Sequence, residues 1–228
     1  MQIKVCGMCD PENISALQKL DIDMMGLIFH PRSPRYVEAR KVCAGIIPDM
    51  PVVLTANGAK EKKPALVGVF VDEMIQTIIT NVYNYHLDYI QLHGNESATY
   101  INNLKRTLIP DIQPDIKIIK ALSIRESDDV KRWRDYKECA DLLLFDTKCE
   151  SQGGSGRKFD WSVLDAYDGD IPFLLSGGIG PEDYDAVRQF HHPMYAGIDL
   201  NSRFETEPGM KDINMLEEFI TKIKTPLQ

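Results

Sequence analysis

Two side chains suited to proton transfer, Cys6 and Asp146, each stand at the end of a short apolar run. A thiolate is a good proton acceptor, and partial burial raises a carboxyl pKa so that the group can serve as an acid. Together they indicate general acid–base catalysis. Two alternatives stay open: Cys6 as an ordinary buried core residue, and Asp146 as a helix cap or loop hydrogen-bonding group.

A glycine-rich segment at residues 176–181, Ser-Gly-Gly-Ile-Gly-Pro, indicates an anion site. Glycines let the backbone approach an anion closely, and the free N–H groups of a following helix bind it. The alternative is an ordinary tight turn. Residues 201–203, Asn-Ser-Arg, follow a later apolar run and add hydroxyl and backbone donors. We therefore predict a phosphate site formed by these two segments.

The spacing of Cys6 and Cys9 matches the C-x-x-C motif of thiol redox proteins. Two thiols supply only two metal ligands, so the motif does not indicate a structural zinc site. The odd total of five cysteines indicates free thiols rather than a disulfide framework. Redox chemistry at this pair remains an alternative function.

The elements that position these groups are eight apolar runs, each followed by a helical pattern. The predicted strands span residues 3–6, 24–29, 66–71, 89–92, 116–122, 142–145, 172–175 and 195–199. Continuously apolar strands are typical of a parallel sheet that is covered on both faces. Eight strand–helix units in 228 residues predict one α/β domain over residues 1–228, an eight-stranded parallel (βα)8 TIM barrel. An open doubly wound sheet is the alternative fold.

Several helix boundaries and loops are also predicted. Helix starts are expected at Asp10, Asp72, Asn95, a capping box at residues 123–126, and Asp212. A further helix is expected to start near Val37 and end before Pro48, and residues 54–64 are expected to form a basic surface loop. Residues 153–156 are interpreted as a mobile lid. His191 and His192 are expected on the surface of the rim opposite the site.

Composition excludes several classes of protein. The net charge of −8 argues against nucleic-acid binding, although a local basic pocket still allows a small anionic substrate. The chain has no apolar stretch approaching the roughly 18 residues of a membrane span. Its first apolar run is too short for a signal peptide, so we expect a cytoplasmic protein.

Barrel enzymes form their sites at the carboxyl ends of the strands. The residues expected there are Cys6, His30, Asp72, His93, Lys120, Asp146, Ser176 and Asp199. Lys120 offers a second enzymatic interpretation, a phosphosugar epimerase or an aldolase that forms a Schiff base with its substrate. A third is a phosphate-ligand binding protein without catalytic activity.

Short motifs in a fixed order favour general acid–base catalysis by Cys6 and Asp146 over these alternatives. They occupy residues 4–8, 26–29, 33–37, 67–71, 91–94, 145–147, 153–156, 159–161, 176–179, 197–199 and 208–212. In these motifs the chain resembles the phosphoribosylanthranilate isomerases of tryptophan biosynthesis along nearly its whole length. Cys9 and Arg203 are departures from the family pattern.

The resemblance implies a role for particular residues. Cys6 would be the general base and Asp146 the general acid of an Amadori rearrangement, which needs no metal and no redox cofactor. The remaining residues would bind the small phosphorylated substrate: Arg35 at the anthranilate carboxylate, His93 and Asp199 in the pocket, and Gly177, Gly178 and Ser202 around the phosphate. The resemblance further implies a monomer.

Overall fold

The computed structural model describes residues 1–37, 63–147 and 161–225. The strands are β1 (Gln2–Val5), β2 (Met24–Ile28), β3 (Ala65–Phe70), β4 (Tyr89–Leu92), β5 (Lys117–Ile124), β6 (Leu142–Thr147), β7 (Phe173–Ser176), β8 (Tyr195–Leu200), β9 (Glu205–Glu207) and β10 (Met210–Lys211). The α-helices are α1 (Pro11–Leu17), α2 (Ile75–Tyr85), α3 (Ala98–Leu108), α4 (Ser127–Val130), α5 (Tyr184–Gln189) and α6 (Ile213–Lys224). Short 3₁₀ helices span Lys131–Tyr136, Trp161–Ala166, Pro181–Asp183 and Ser202–Phe204. The predicted helix before Pro48, the glycine-rich residues 153–156 and most of the segment 54–64 lie outside the described residues.

Strands β1 to β8 pair in sequence order and close into a parallel barrel, so the predicted TIM-barrel fold is confirmed and the open sheet is wrong. The closing seam joins β1 to β8, with Lys4 opposite Asp199. At this seam a Cβ on Gly197 would stand 1.9 Å from the Gln2 carbonyl oxygen. Glycine therefore lets the two strands approach closely enough to pair. The antiparallel pair β9–β10, which the sequence did not predict, follows β8.

Buried apolar residues fall into two clusters that reflect the alternation of side chains along the strands. The smaller cluster fills the barrel interior and contains Met24, Val67, Ile119, Ala121, Leu142, Leu144 and Leu174. Intervening strand residues, such as Leu143 and Phe145, belong to the larger cluster between the barrel and its outer helices. The apolar runs are buried on both faces for this reason.

Two predicted helix caps are confirmed. The carboxylate of Asp10 accepts a hydrogen bond from the Asn13 N–H at 2.8 Å, with Pro11 in the first turn of α1. The carboxylate of Asp212 accepts from the Met215 N–H at 3.0 Å and begins α6. Both side chains satisfy a free N–H group of the first turn.

The other three predicted caps are wrong. Helix α2 begins after Met74, while the Asp72 carboxylate accepts from the Asn95 N–H at 2.6 Å and links two loops. Helix α3 begins after Ser97 rather than after Asn95. Residues 123–126 do not form a capping box because β5 continues to Ile124. The box begins at Glu126 instead, with Asp129 as its second member.

The prediction for the two adjacent histidines is half right. His191 is exposed, but His192 is half-buried between the rings of Tyr167 and Phe173. The Nε2 of His192 hydrogen-bonds the Tyr167 carbonyl oxygen at 3.1 Å. His192 lies in the loop between α5 and β8, and its ring packs against the protein instead of pointing into solvent.

Candidate active site

A cleft of about 190 Å³, open to solvent, lies at the carboxyl ends of the strands. Its lining residues are Cys6, Ile28, Val69, Gln91, His93, Asp146, Ser176, Gly177, Gly178, Ile179, Asp199, Asn201, Ser202 and Arg203. Seven of the eight residues that the family resemblance assigns to the site lie among them, and Arg35 does not. Three other residues expected at this rim, His30, Asp72 and Lys120, are also outside the lining. The cleft thus brings together side chains that are separated by up to nearly 200 positions in the chain.

Cys6 follows β1 and is 3% exposed at the base of the cleft. Its N–H donates to the Leu200 carbonyl at 2.9 Å, which fixes the residue against β8. A Cβ on Gly26 of the neighbouring strand would stand 2.6 Å from Sγ, so this glycine leaves the space that the thiol occupies. Burial raises the pKa of the Cys6 thiol, and the adjacent Lys4 ammonium opposes that effect.

Lys4 is fully buried two residues before Cys6 and faces the same side of the strand. Its Nζ donates to Asp199 Oδ1 at 2.7 Å, and the other oxygen of Asp199 accepts from Ser176 Oγ at 3.2 Å. Burial acts to lower the pKa of Lys4, but the Asp199 carboxylate and Cys6 outweigh it and raise the pKa. Lys4 is therefore a permanent cation inside the barrel.

A second buried group of charges lies beside Cys6, where Arg35 meets the β9–β10 hairpin. Arg35 Nε donates to Glu205 Oε1 at 2.8 Å, and its Nη2 donates to Oε2 at 2.5 Å. Lys211 Nζ donates to the same carboxylate and to Asn201 Oδ1. Burial acts to raise the pKa of Glu205, but hydrogen bonds from Arg35 and Lys211 prevail and lower it. Glu205 is therefore an anion shared by two cations.

Arg35 itself lies next to the cleft rather than in its wall. A Cβ on Gly7 would stand 2.6 Å from Arg35 Cδ, so the arginine stem crosses directly over that glycine. Glu205 holds the Nε and Nη2 side of the guanidinium. The Nη1 atom of the planar group takes no part in these bonds.

The opposite side of the cleft carries Asp146, at the end of β6, and His93, which follows β4. His93 Nε2 lies 3.4 Å from Asp146 Oδ2, with side-chain exposures of 32% and 17%. His93 Nδ1 lies 3.1 Å from Gln91 Nε2. An amide nitrogen only donates, so Nδ1 is the acceptor and the ring proton of neutral His93 is on Nε2, facing Asp146. This tautomer follows from the assigned orientation of the Gln91 amide.

The anion site predicted from glycines has the expected backbone. Gly177 and Gly178 have φ values of +103° and +75°. A Cβ on Gly178 would meet nothing within 4 Å, so conformation rather than space requires glycine there. Ser202 begins the facing 3₁₀ turn, and Arg203 beside it forms an ion pair with Glu182. Both members of this pair are about half exposed.

Lys120 faces away from the cleft. Its Nζ donates to Glu96 Oε2 at 3.0 Å and to the Leu92 and Gly94 carbonyls at 3.1 and 2.8 Å. It is 1% exposed and is not among the lining residues, so the Schiff-base interpretation has no support. Its hydrogen bonds hold the loop that carries His93.

Cys9 lies outside the lining of the cleft that contains Cys6. No disulfide joins these two residues, and Cys9 Sγ points to the Gly209 carbonyl oxygen at 3.7 Å.

Sequence reasoning assigned no role to four residues that support the site: Lys4, Gln91, Glu205 and Lys211. Lys4 and Gln91 carried a signal, because a polar residue inside a short apolar run of a barrel strand must face the interior or an outer partner. Glu205 and Lys211 carried none, since they belong to the hairpin that was not predicted.

The closed parallel barrel, the ionisable side chains in its cleft and the glycine backbone beside them define the architecture of a TIM-barrel enzyme. A sequence model described as N-(5'-phosphoribosyl)anthranilate (PRA) isomerase matches residues 3–222. The chain belongs to the phosphoribosylanthranilate isomerase family of tryptophan biosynthesis, which confirms the resemblance and the isomerase activity predicted from its motifs.

Individual relatives agree with the family match. The N-(5'-phosphoribosyl)anthranilate isomerase of Parabacteroides distasonis is 45% identical over 226 residues, covering 99% of this chain and 95% of the relative. That of Phocaeicola vulgatus is 40% identical and covers both chains completely. A phosphoribosyl anthranilate isomerase solved in complex with reduced 1-(o-carboxyphenylamino)-1-deoxyribulose 5-phosphate superposes with a TM-score of 0.77, at 27% identity over 98% of both chains.

The described residues contain no helix long and apolar enough to cross a membrane. Within the same ranges no group of three or more His, Cys, Asp and Glu side chains is arranged to hold a metal ion.

Proposed function

We propose that Asp146 and Cys6 are the general acid and general base that convert N-(5-phosphoribosyl)anthranilate to 1-(2-carboxyphenylamino)-1-deoxyribulose 5-phosphate. The observation that supports this assignment is their placement in one cleft, on β6 and after β1, with the partly exposed Asp146 opposite the buried Cys6. An Amadori rearrangement needs an acid at the ring oxygen and a base at C2 of the sugar.

The proposed reaction starts with proton donation. Asp146 gives its proton to the furanose ring oxygen, the ring opens, and the nitrogen lone pair forms the Schiff base. The Cys6 thiolate then takes the proton from C2, and the electron pair of that C–H bond moves towards nitrogen to give the enolamine. The enolamine relaxes to the ketone. One proton is given and one is taken, which balances an isomerisation.

Binding would use three parts of the cleft. Gly177, Gly178 and Ser202 would bind the phosphate through backbone N–H groups and a hydroxyl. The Nη1 side of Arg35 would hold the anthranilate carboxylate, oriented by Glu205. His93 and Asp199 would contact the sugar between them, since both line the cleft close to the acid and the base, respectively.

The test follows the fluorescence of N-(5-phosphoribosyl)anthranilate, generated in place, as the enzyme consumes it. We expect rapid loss of signal with wild type and with Cys9→Ser, and a decrease of about 10²–10⁴-fold or more with Cys6→Ser and with Asp146→Asn. Cys9→Ser is the matched control because it is a neighbouring thiol outside the cleft lining. Full activity in either of the other two variants would reject that residue's role.

Two further properties remain proposals. A monomer is expected, and light scattering coupled to size-exclusion chromatography measures it directly. A cytoplasmic location is expected for an enzyme of this pathway, and fractionation of cells that produce the protein measures it.

A further inference from the structure

We propose that Lys4 is the positioning residue that makes Cys6 a usable base, by holding a fixed positive charge against its sulfur inside the barrel. The proposal deepens the function proposed above and rests on it for the role of Cys6. It concerns a residue that does not line the cleft and so does not itself touch substrate.

The geometry places one cation beside two acidic groups. Lys4 and Cys6 project from the same face at the end of β1, two residues apart, and the Lys4 ammonium donates to Asp199 Oδ1 at 2.7 Å across the seam. The charge of the ammonium acts on the Cys6 sulfur beside it. Lys4 has no exposure to solvent and Cys6 has 3%, so water does not screen the charge. A buried ammonium held by its carboxylate partner has little freedom to move away.

A thiolate in this place needs such a partner. Removing water from the sulfur opposes its ionisation, and a cation in contact restores part of the lost stabilisation. Lys4 keeps its proton throughout, while Cys6 alternates between thiolate and thiol as it takes and releases the substrate proton. Asp199 balances the charge of Lys4 whenever Cys6 is neutral.

Other charged groups near the sulfur also affect how readily Cys6 ionises. Lys211 of β10 and Arg35 act in the same direction as Lys4, whereas Asp199 of β8 acts against ionisation. Both of the other cations are bonded to Glu205, which offsets their charge. Asp146 and His93 lie across the open cleft, where solvent screens them. Lys4 is therefore the buried cation that lies on the same strand face as the thiol.

The experiment measures the rate of Cys6 alkylation by iodoacetamide between pH 6 and 10, with the modified cysteine identified by peptide mass spectrometry. Lys4→Met should raise the apparent pKa of Cys6 by a unit or more, and so slow alkylation at pH 7 by about tenfold or more. Lys4→Arg, which keeps the charge, should recover part of the rate. Lys19→Met, an exposed lysine of the first helix region, is the control and should match wild type.

Asp199→Asn tests the same idea in the opposite direction. It removes the anion next to Lys4, so the apparent pKa of Cys6 should fall and alkylation at pH 7 should become faster. If Lys4→Met does not fold with an unpaired buried carboxylate, the double variant Lys4→Met/Asp199→Asn removes the whole ion pair, and its Cys6 should still react slowly. Equal alkylation profiles in wild type and the folded Lys4 variants would overturn the proposal.

Alkylation does not depend on isomerase activity, so the two proposals are tested separately. If the Lys4 variants shift the reactivity of Cys6 but Cys6→Ser keeps full isomerase activity, the role of Cys6 as base fails while the action of Lys4 on its sulfur holds. If the reactivity does not shift, the Lys4 proposal fails even where Cys6→Ser is inactive.

Discussion

The two sides of the cleft differ in how their proton-transfer groups are held. The base side consists of Cys6, Lys4 and Asp199, which are 7% exposed or less, with the ion pair at 2.7 Å. The acid side consists of Asp146, His93 and Gln91, where the ionisable side chains are 17% and 32% exposed and 3.4 Å apart. One side is dry and tightly bonded, and the other is open and loosely bonded.

The difference matches the two tasks in the proposed reaction. A base that removes a proton from carbon benefits from a dry, fixed environment, because no reorganisation of solvent is needed during the step. An acid must recover its proton after each turnover, and contact with solvent lets it do so. Buried charges need permanent partners, which is why the base side has several and the acid side has few.

The comparison between the two sides can be tested by substitution, and the largest effect is expected at Glu205. This carboxylate is 4% exposed and lies next to the Cys6 side of the cleft. Glu205→Gln leaves Arg35 and Lys211 without their shared anion, so the free energy of unfolding should fall by about 3 kcal/mol. The KM should rise because Arg35 loses its orientation. Urea denaturation and steady-state kinetics measure these changes, with Glu207→Gln, an exposed residue of the same strand, as control.

The effect of Glu205→Gln should also depend on pH. Because the pKa of Glu205 is lowered in the folded protein, its charge stabilises the fold above the unfolded pKa of about 4.3. That stabilisation is lost as the pH falls through the lower folded value. The difference in stability between wild type and variant should therefore shrink below about pH 4, and a constant difference down to pH 2.5 would contradict the assignment.

A smaller effect is expected at Gln91 on the acid side. Gln91→Met removes the hydrogen bond to His93 Nδ1, worth about 1 kcal/mol, so kcat should fall by up to about tenfold with little change in KM. Stability should change little because the Gln91 Oε1 atom is buried without a hydrogen-bond partner in the described structure. Gln76→Met, on an exposed helix face, is the control. A loss of stability as large as that of Glu205→Gln would remove the contrast between the two sides.

The smallest effect is expected at Arg203, whose pair with Glu182 is the exposed counterpart of the buried Arg35–Glu205 pair. Arg203→Gln should leave stability within about 0.5 kcal/mol of wild type. Its place in the cleft lining predicts a KM a few-fold higher at unchanged kcat. Arg106→Gln, on the exposed face of α3, is the control. An unchanged KM would show that Arg203 does not contact the phosphate.

The barrel was predictable because each strand is a short apolar run, and burial on both faces leaves few other arrangements. The strand ends were predicted within about two residues, and with them the places of Cys6 and Asp146. Predictions failed where a long-range contact replaced a local one. Asp72 is a residue type that commonly caps helices. Its carboxylate instead accepts a hydrogen bond from the N–H of Asn95, which lies in the next loop.

The hydrogen-bond partners of Lys4 and Arg35 could not be predicted from the sequence for the same reason. Lys4 pairs with a residue 195 positions away, and Arg35 pairs with one 170 positions away. No local spacing encodes such pairs. They follow only from the closure of the barrel and from the β9–β10 hairpin, whose short strands have no distinct apolar pattern.

The seam between β1 and β8 also has a consequence for the order of folding. Lys4 and Asp199 are directly opposite across it, so the charge environment of Cys6 is complete only when the last barrel strand has docked on the first. Closing so long a loop is an entropically costly, high-contact-order step. While β8 is still inside the ribosome, the growing chain has the Cys6 thiol but not the complete Lys4–Asp199 ion pair beside it. The rate at which Cys6 is modified therefore reports whether the barrel has closed. A circular permutation that joins β8 to β1 should let Cys6 reach its final reactivity at an earlier stage of folding.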